Sequence, residues 1–343
     1  MKTYLKRIER TFDYTDKSQY NYVLNQSERS ENFSTILFEL FKKDLKQEDF
    51  AYYPNTKNFK EKICEFYNVK TENLFLSDGS DVGIKSIFET FTTCGKVITS
   101  EPSFPMYSVY CQLYKCQYFG INYEKDYTLS IDNLLMFDDE DTNLFILANP
   151  NSPIGDYKTF EEIKPLLDTG KMVLIDEAYI EFTDNESMIQ YIDEYPNLLV
   201  TRTFSKGFGA AGCRVGMTFG HKDTIELLSK FRQMYEITGV SMKYCEFLLN
   251  NYNLVETYIK KVKEEKQKVL TLMKNFSILD SESNWIHFNT HDDNLKTKQI
   301  LDKHKVLVKY CKLPHDTKTS WCRMTIQPDM TSRPFFRELV NEQ

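Results

Sequence analysis

The 343-residue sequence lacks several things, and each absence excludes a class of protein. No run of about 18 apolar residues occurs, so no membrane span is expected. Met1 to Arg10 is polar and charged, without the apolar core of a secretory signal. There is no Cys-x-x-Cys; the eight cysteines are scattered, and Cys111 and Cys116 are the closest pair. Reduced thiols in a cytoplasm are therefore expected, not a disulfide framework. Histidine is scarce, five in all, and only His287 and His291 lie four apart. The first sits in a strand-like run and the second in a polar loop, so they share no helix face and no metal site is expected. There is no basic excess: 43 basic residues face 50 acidic ones, a net charge of −7. General attraction to nucleic acid or an anionic membrane is not expected. Internal repeats and low-complexity linkers are absent as well.

Glycine is also sparse, which makes its distribution informative. Of twelve glycines, five fall between Thr201 and Gly220. Glycine serves where backbone bends sharply or approaches a ligand closely. Here the glycines surround Lys206, with Thr203 and Ser205 beside it and Arg214 eight residues on. An amine able to form a Schiff base, two hydroxyls and a guanidinium suit an aldehyde that carries a phosphate, such as pyridoxal phosphate.

Along the chain, apolar runs alternate with helical patterns. Strands are expected at Leu74–Leu76, Lys96–Thr99, Cys116–Tyr118, Asn143–Ala148, Met172–Ile175, Asn197–Thr201 and Val215–Phe219. Helical spacing marks Phe33–Leu45, Phe59–Tyr67, Val82–Phe91, Met106–Leu113 and Phe160–Leu167, then dominates Thr224–Leu272. The chain closes with strands at Trp285–Phe288, Val306–Val308 and Cys322–Ile326 and helices near Asn294–His304 and Arg333–Asn341. Residues 1–30 read as polar and irregular. The fold class is α/β, with a mostly parallel sheet covered by helices on both faces.

Ligands of such sheets sit beyond the carboxyl ends of the strands. After Leu76 comes Asp78-Gly79-Ser80-Asp81, opening a helix whose free amides and dipole favour an anion. After Thr99, Phe104 can lie on a flat ring. Following Ala148 is the turn Asn149-Pro-Asn-Ser-Pro-Ile-Gly155. After Ile175 comes Asp176-Glu177-Ala178-Tyr179. A carboxylate ending a wholly apolar strand needs a partner, and a protonated pyridine nitrogen is one.

The runs Asp176-Glu-Ala-Tyr-Ile-Glu-Phe182 and Arg202-Thr-Phe-Ser-Lys-Gly-Phe-Gly-Ala-Ala-Gly-Cys-Arg-Val-Gly216 resemble histidinol-phosphate aminotransferase and its relatives, which are fold-type-I pyridoxal phosphate enzymes. The resemblance extends from about Leu24 to the end. It implies a large cofactor-binding domain over residues 46–250 and a smaller α+β domain formed by the N-terminal segment, 1–45, and the C-terminal part, 251–343. It implies that Lys206 carries the cofactor and shuttles the proton, that Asp176 pairs with the pyridine nitrogen, and that Tyr179 bonds the ring oxygen. Ser80, Asp81, Thr203, Ser205 and Arg214 then cradle the phosphate, and Phe104 stacks on the ring. Tyr53 matches a tyrosine that reaches the neighbouring subunit's phosphate, which implies a homodimer. Arg323 matches the arginine that binds the substrate carboxylate.

The departures lie on the substrate side. Asn151-Ser152 stands where the family has Asn-Asn, so Ser152 occupies the place of the ring-oxygen asparagine, and either Asn151 or Ser152 is left to serve. Lys309 stands where a second arginine is expected, Glu236 where an asparagine is, and Ser27–Ser30 replaces Asn-Glu-Asn-Pro. The expectation is an aminotransferase acting between glutamate and a small phosphorylated carbonyl compound. The alternatives are a decarboxylase of a phosphorylated amino acid and, in another class, a non-catalytic cofactor-binding module.

Overall fold

The structure, a computed structural model, describes residues 8–9, 15–29, 35–289 and 294–341. Thirteen strands occur among them: β1 Tyr22–Val23, β2 Leu74–Asp78, β3 Lys96–Glu101, β4 Gln117–Asn122, β5 Thr142–Ala148, β6 Met172–Asp176, β7 Leu198–Thr203, β8 Val215–Gly220, β9 Ser277–Leu279, β10 Trp285–Asn289, β11 Val306–Leu307, β12 Lys309–Leu313 and β13 Asp316–Thr325. The helices are α1 Thr35–Asp44, α2 Glu48–Ala51, α3 Lys57–Tyr67, α4 Gly79–Phe91, α5 Met106–Tyr114, α6 Ile131–Leu135, α7 Phe160–Asp168, α8 Lys222–Ser229, α9 Gly239–Asn250, α10 Tyr252–Leu272, α11 Asn294–Lys303 and α12 Pro334–Asn341.

Seven strands form one sheet in the order β2-β8-β7-β6-β5-β3-β4. All pair in parallel except β8, which is antiparallel to both β2 and β7. Strand side chains alternate between faces, and the core divides accordingly. Leu144, Ile146 and Leu174 pack with Ile84, Phe88 and Tyr107 on one side. Phe145, Leu147, Val173 and Ile175 pack with Phe59, Ile163 and Phe204 on the other. Both faces being covered explains why these strands read as continuous apolar runs. Each such fully buried side chain contributes about 1.5–3 kcal/mol. Helix α7 starts where Thr159 and Glu162 form a capping box, and α3 stops at Asn68, which takes the left-handed conformation.

The four-stranded sheet β12-β13-β10-β9 is antiparallel and drawn from the C-terminal part. The N-terminal segment is tied to that part, because β1 pairs in parallel with β11. The reading of residues 1–30 as irregular is thus corrected at Tyr22–Val23: two residues carry no pattern, and their partner lies far along the chain. Strands β9 and β12 and the short helices α2 and α6 are likewise additions. Helix α4 begins at Gly79, three residues before the expected Val82. No helix of the described residues is long and apolar enough to cross a membrane. No group of three or more His, Cys, Asp or Glu placed to hold a metal occurs among them.

Candidate active site

The carboxyl ends of β2, β5, β6 and β7 bring the expected residues together. Asp176, the last residue of β6, is 5% exposed. Thr201 Oγ1 donates to its Oδ1 and Tyr107 Oη to its Oδ2, each at 2.9 Å. Burial raises the Asp176 carboxyl above its ordinary value, against the pull of those two hydrogen bonds. It has no ion-pair partner among the described residues, so a buried carboxylate is held in place by two hydroxyls and faces no protein cation. Phe104 sets its ring edge against Tyr107, with centroids 5.5 Å apart.

Helix α4 offers its first turn without a side-chain cap, since Asp78 makes no capping hydrogen bond. Ser80 and Asp81 lie in that turn, and Tyr110 Oη donates to Asp81 Oδ1 at 2.7 Å. Arg214 is in the left-handed conformation, φ 52°, and lays its guanidinium over this turn: a Cβ placed on Gly79 would come 2.3 Å from Arg214 Nη2. Gly216 is packed as tightly, since a Cβ there would meet Gly79 C and Ser80 N at 2.2 Å. The two glycines let β8 and α4 touch through their backbones. Thr203 Oγ1 donates to Ser205 Oγ at 3.0 Å, and Ser205 N donates to Thr203 Oγ1 at 3.1 Å. Free amides, two hydroxyls and a guanidinium thus surround one helix N-terminus.

Lys206 Nζ donates to Gln26 O at 2.7 Å and lies 5.3 Å from the Tyr179 ring centroid. Burial opposes ionisation of Tyr179, but the charges of Lys206 and Arg323 outweigh it and hold the phenol below its ordinary value. Arg323, on β13, donates from Nη1 to Ser152 Oγ at 3.4 Å and from Nη2 to Asn25 O at 3.0 Å. Ser152 therefore faces Tyr179 and Arg323, whereas Asn151 does not. The Asn151 amide donates to Ser100 and Ser103 Oγ, and its Oδ1 accepts from Ile154 N. Of the two alternatives, Asn151 is thus engaged in shaping the turn. Lys309 stands across from Arg323 in the sheet, on the side opposite His287. Tyr53 is 77% exposed and stacks on Tyr235 at 4.1 Å.

Sequence reasoning missed the supports. Tyr107 and Thr201 hold Asp176, yet each is a single polar group in an apolar element. Arg202, 6% exposed, bridges Glu177 at 3.0 Å and Glu181 at 2.8 Å. Glu181 packs against the lysine loop, since a Cβ on Gly207 would meet Glu181 Cβ at 2.6 Å. Removing one member of such a buried group strands a charge, at a cost of about 3–5 kcal/mol. All three residues stand in the motif runs; the signal was there, but their pairing was not.

The family model of class I and II aminotransferases matches residues 28–335. The chain belongs to the class I and II aminotransferases. This aminotransferase is 31% identical to the histidinol-phosphate aminotransferase of Pyrococcus furiosus over 79% of either chain. With the histidinol-phosphate aminotransferase of Bacteroides fragilis it shares 33% identity, the match spanning 62% of this chain and 63% of that relative's length. Its fold is that of the Sinorhizobium meliloti histidinol-phosphate aminotransferase in complex with pyridoxal-5'-phosphate, with a TM-score of 0.86 at 17% identity, covering 100% of this chain and 98% of that one. The L-threonine-O-3-phosphate decarboxylase of Porphyromonas gingivalis shares the fold too, with a TM-score of 0.78 at 18% identity, covering 94% and 100%. The aminotransferase is a pyridoxal phosphate enzyme, and the residues present fit that group. An uncapped helix end with Arg214 over it suits the phosphate, and a buried carboxylate lacking a cation suits the pyridine nitrogen.

Proposed function

We propose that this aminotransferase exchanges an amino group between glutamate and a small phosphorylated carbonyl compound. The observation that carries the reading is the grouping of Lys206, Tyr179, Ser152 and Arg323 at the sheet end that Asp176 closes. Pyridoxal phosphate, when bound, supplies the aldehyde for Lys206 and the sink for the electron pair released at the substrate carbon. Lys206 takes and returns the proton at Nζ. Asp176, fixed by Thr201 and Tyr107, would hold the pyridine nitrogen in its protonated form. Ser80, Asp81, Thr203, Ser205 and Arg214 take the phosphate with the amides of α4, and Phe104 covers the ring. Tyr179 and Ser152 would supply the hydrogen bonds to the ring oxygen. Arg323 grips a carboxylate through its planar fork, and Lys309 adds charge without that fork.

The N-terminal segment supports a small substrate, since Gln26 O lies on Lys206 and Asn25 O on Arg323. We read residues 1–45 and 251–343 as one small domain over a large domain of residues 46–250. We also propose a homodimer in which the exposed Tyr53 reaches the partner's phosphate, and, from eight free cysteines, a cytoplasmic location. The test compares kcat/KM for histidinol phosphate with that for three-carbon phosphorylated amines, using 2-oxoglutarate as acceptor. A tenfold preference for histidinol phosphate, about 1.4 kcal/mol of transition-state binding, sinks the small-substrate reading. Carbon dioxide release without glutamate formation sinks transamination in favour of decarboxylation.

A further inference from the structure

Nearly all buried polar groups in folded proteins have a hydrogen-bond partner. Around Arg323 several have none. His287, on β10, stands directly across from Arg323 on β13, and such opposed residues project from the same face. That face is turned to the site. Trp285, two residues before His287 and so on its side of the sheet, donates its indole N–H to Pro153 O at 3.0 Å. Arg323 lies 5.5 Å from the Trp285 ring and reaches on to Ser152. His287 is fully buried, and neither Nδ1 nor Nε2 has a partner. Arg323 Nε, Asn25 Oδ1 and Asn284 Oδ1 are unpartnered as well. Asn25 joins this patch through its backbone, since Asn25 O accepts from Arg323, and Asn284 borders it through the N-terminal segment, its Nδ2 donating to Ser27 O at 3.3 Å.

The kinds of atom indicate what is missing. An amide oxygen only accepts. Burial and then the Arg323 charge hold the imidazole of His287 down to about 3, so it is neutral, with one donating and one accepting nitrogen. A carboxylate or a phosphate dianion brings acceptors alone. It serves Arg323 Nε and the imidazole N–H, and it strands the other nitrogen and both amide oxygens. A hydroxyl brings one donor, which serves the accepting nitrogen of His287.

We propose that His287 is a specificity-determining residue of the substrate site, hydrogen-bonding a hydroxyl group that lies beside the anionic group held by Arg323. The substrate class is then a hydroxylated carboxylate or phosphate ester. The proposal rests on the aminotransferase reading of the site and goes beyond it. A site that hydrogen-bonds a hydroxyl discriminates strongly against the analogue lacking one.

The test titrates the cofactor-loaded enzyme with racemic malate and with succinate, which share a skeleton and both carboxylates and differ by one hydroxyl. Affinity is read from the cofactor absorbance and from the shift in Tm. Malate should bind at least tenfold more tightly to the wild type. The preference should fall below twofold in His287→Leu and return in part in His287→Asn, which keeps a donor and an acceptor. Unliganded His287→Leu should also melt higher. Equal affinities in the wild type, or a preference that survives in His287→Leu, overturns the proposal. If the leucine variant does not fold, the wild-type comparison alone decides. Failure of the underlying reading looks different: bound cofactor whose absorbance does not respond to glutamate refutes the amino donor and leaves the malate comparison standing.

Discussion

The end of the seven-stranded sheet and the strand pair β10–β13 face each other across the site and are finished differently. At the sheet end both oxygens of Asp176 are bonded and Thr203 and Ser205 bond each other; behind them Arg202 bridges Glu177 and Glu181, with only Arg202 Nε and Glu181 Oε2 of that group unpartnered. Across from it, His287, Asn25, Asn284 and Arg323 carry unsatisfied buried atoms. Groups such as Asp176, Thr203 and Ser205, already held in place, suit a ligand that never changes. A surface with unmet hydrogen bonds suits one that comes and goes and pays for its own desolvation with the bonds it makes.

The comparison can be broken from either side. The largest effect belongs to Lys206→Ala, which removes both the covalent link and the proton carrier. Turnover should drop by about 10⁴-fold or more, the upper range for one proton-transfer group, and borohydride should no longer fix cofactor to the chain. Cofactor found on another lysine instead would remove the mechanism. Asp176→Ala comes next, with a loss of about 10²–10³-fold in kcat, as for other fixed electrostatic groups, while cofactor still binds through the phosphate cradle. Near-normal rates would show that ring protonation does not depend on this carboxylate.

The third prediction tests the opposite side through acid stability. The folded value of His287 lies at about 3, below the ordinary 6.5. Between those values the unfolded chain binds more protons, so stability falls as pH falls through that window. The slope from this one residue is about 1.4 kcal/mol per pH unit. Urea unfolding of the apoprotein at a series of pH values should show it, and His287→Leu should flatten it; an unchanged slope contradicts a buried neutral imidazole. The fourth effect is smaller. Tyr53→Phe should weaken cofactor retention by about 1 kcal/mol for one hydrogen bond lost. A fully active monomer in sedimentation would deny Tyr53 its place in a partner's site.

What was legible in the sequence follows the same division. Met172–Ile175 ending in Asp176, and Lys206 and Arg214 among glycines, are local patterns, because strand, turn and charge lie within a few residues of each other. The opposite side is assembled from Asn25, Asn284, His287 and Arg323, whose proximity is set by strand register across gaps that no periodicity spans. His287 read only as a histidine in a strand, since nothing in its own run reveals the arginine across from it. Ser152 and Asn151 were indistinguishable for a related reason: two adjacent polar residues in a turn point apart, and only the packing of Asn151 against Ser100 and Ser103 decides which faces inward.

The carbonyls of Asn25 and Gln26 occupy one hydrogen-bonding position each on Arg323 and Lys206, so a ligand that takes those positions must exchange two bonds already made. Apparent affinity is then the intrinsic affinity scaled by the fraction of time those two bonds are open. Lys17 fastens this segment, donating to Gln26 Oε1 at 2.7 Å and pairing with Glu28. Lys17→Met should therefore lower KM for glutamate and leave kcat in place. A raised KM would instead make the segment part of the binding surface.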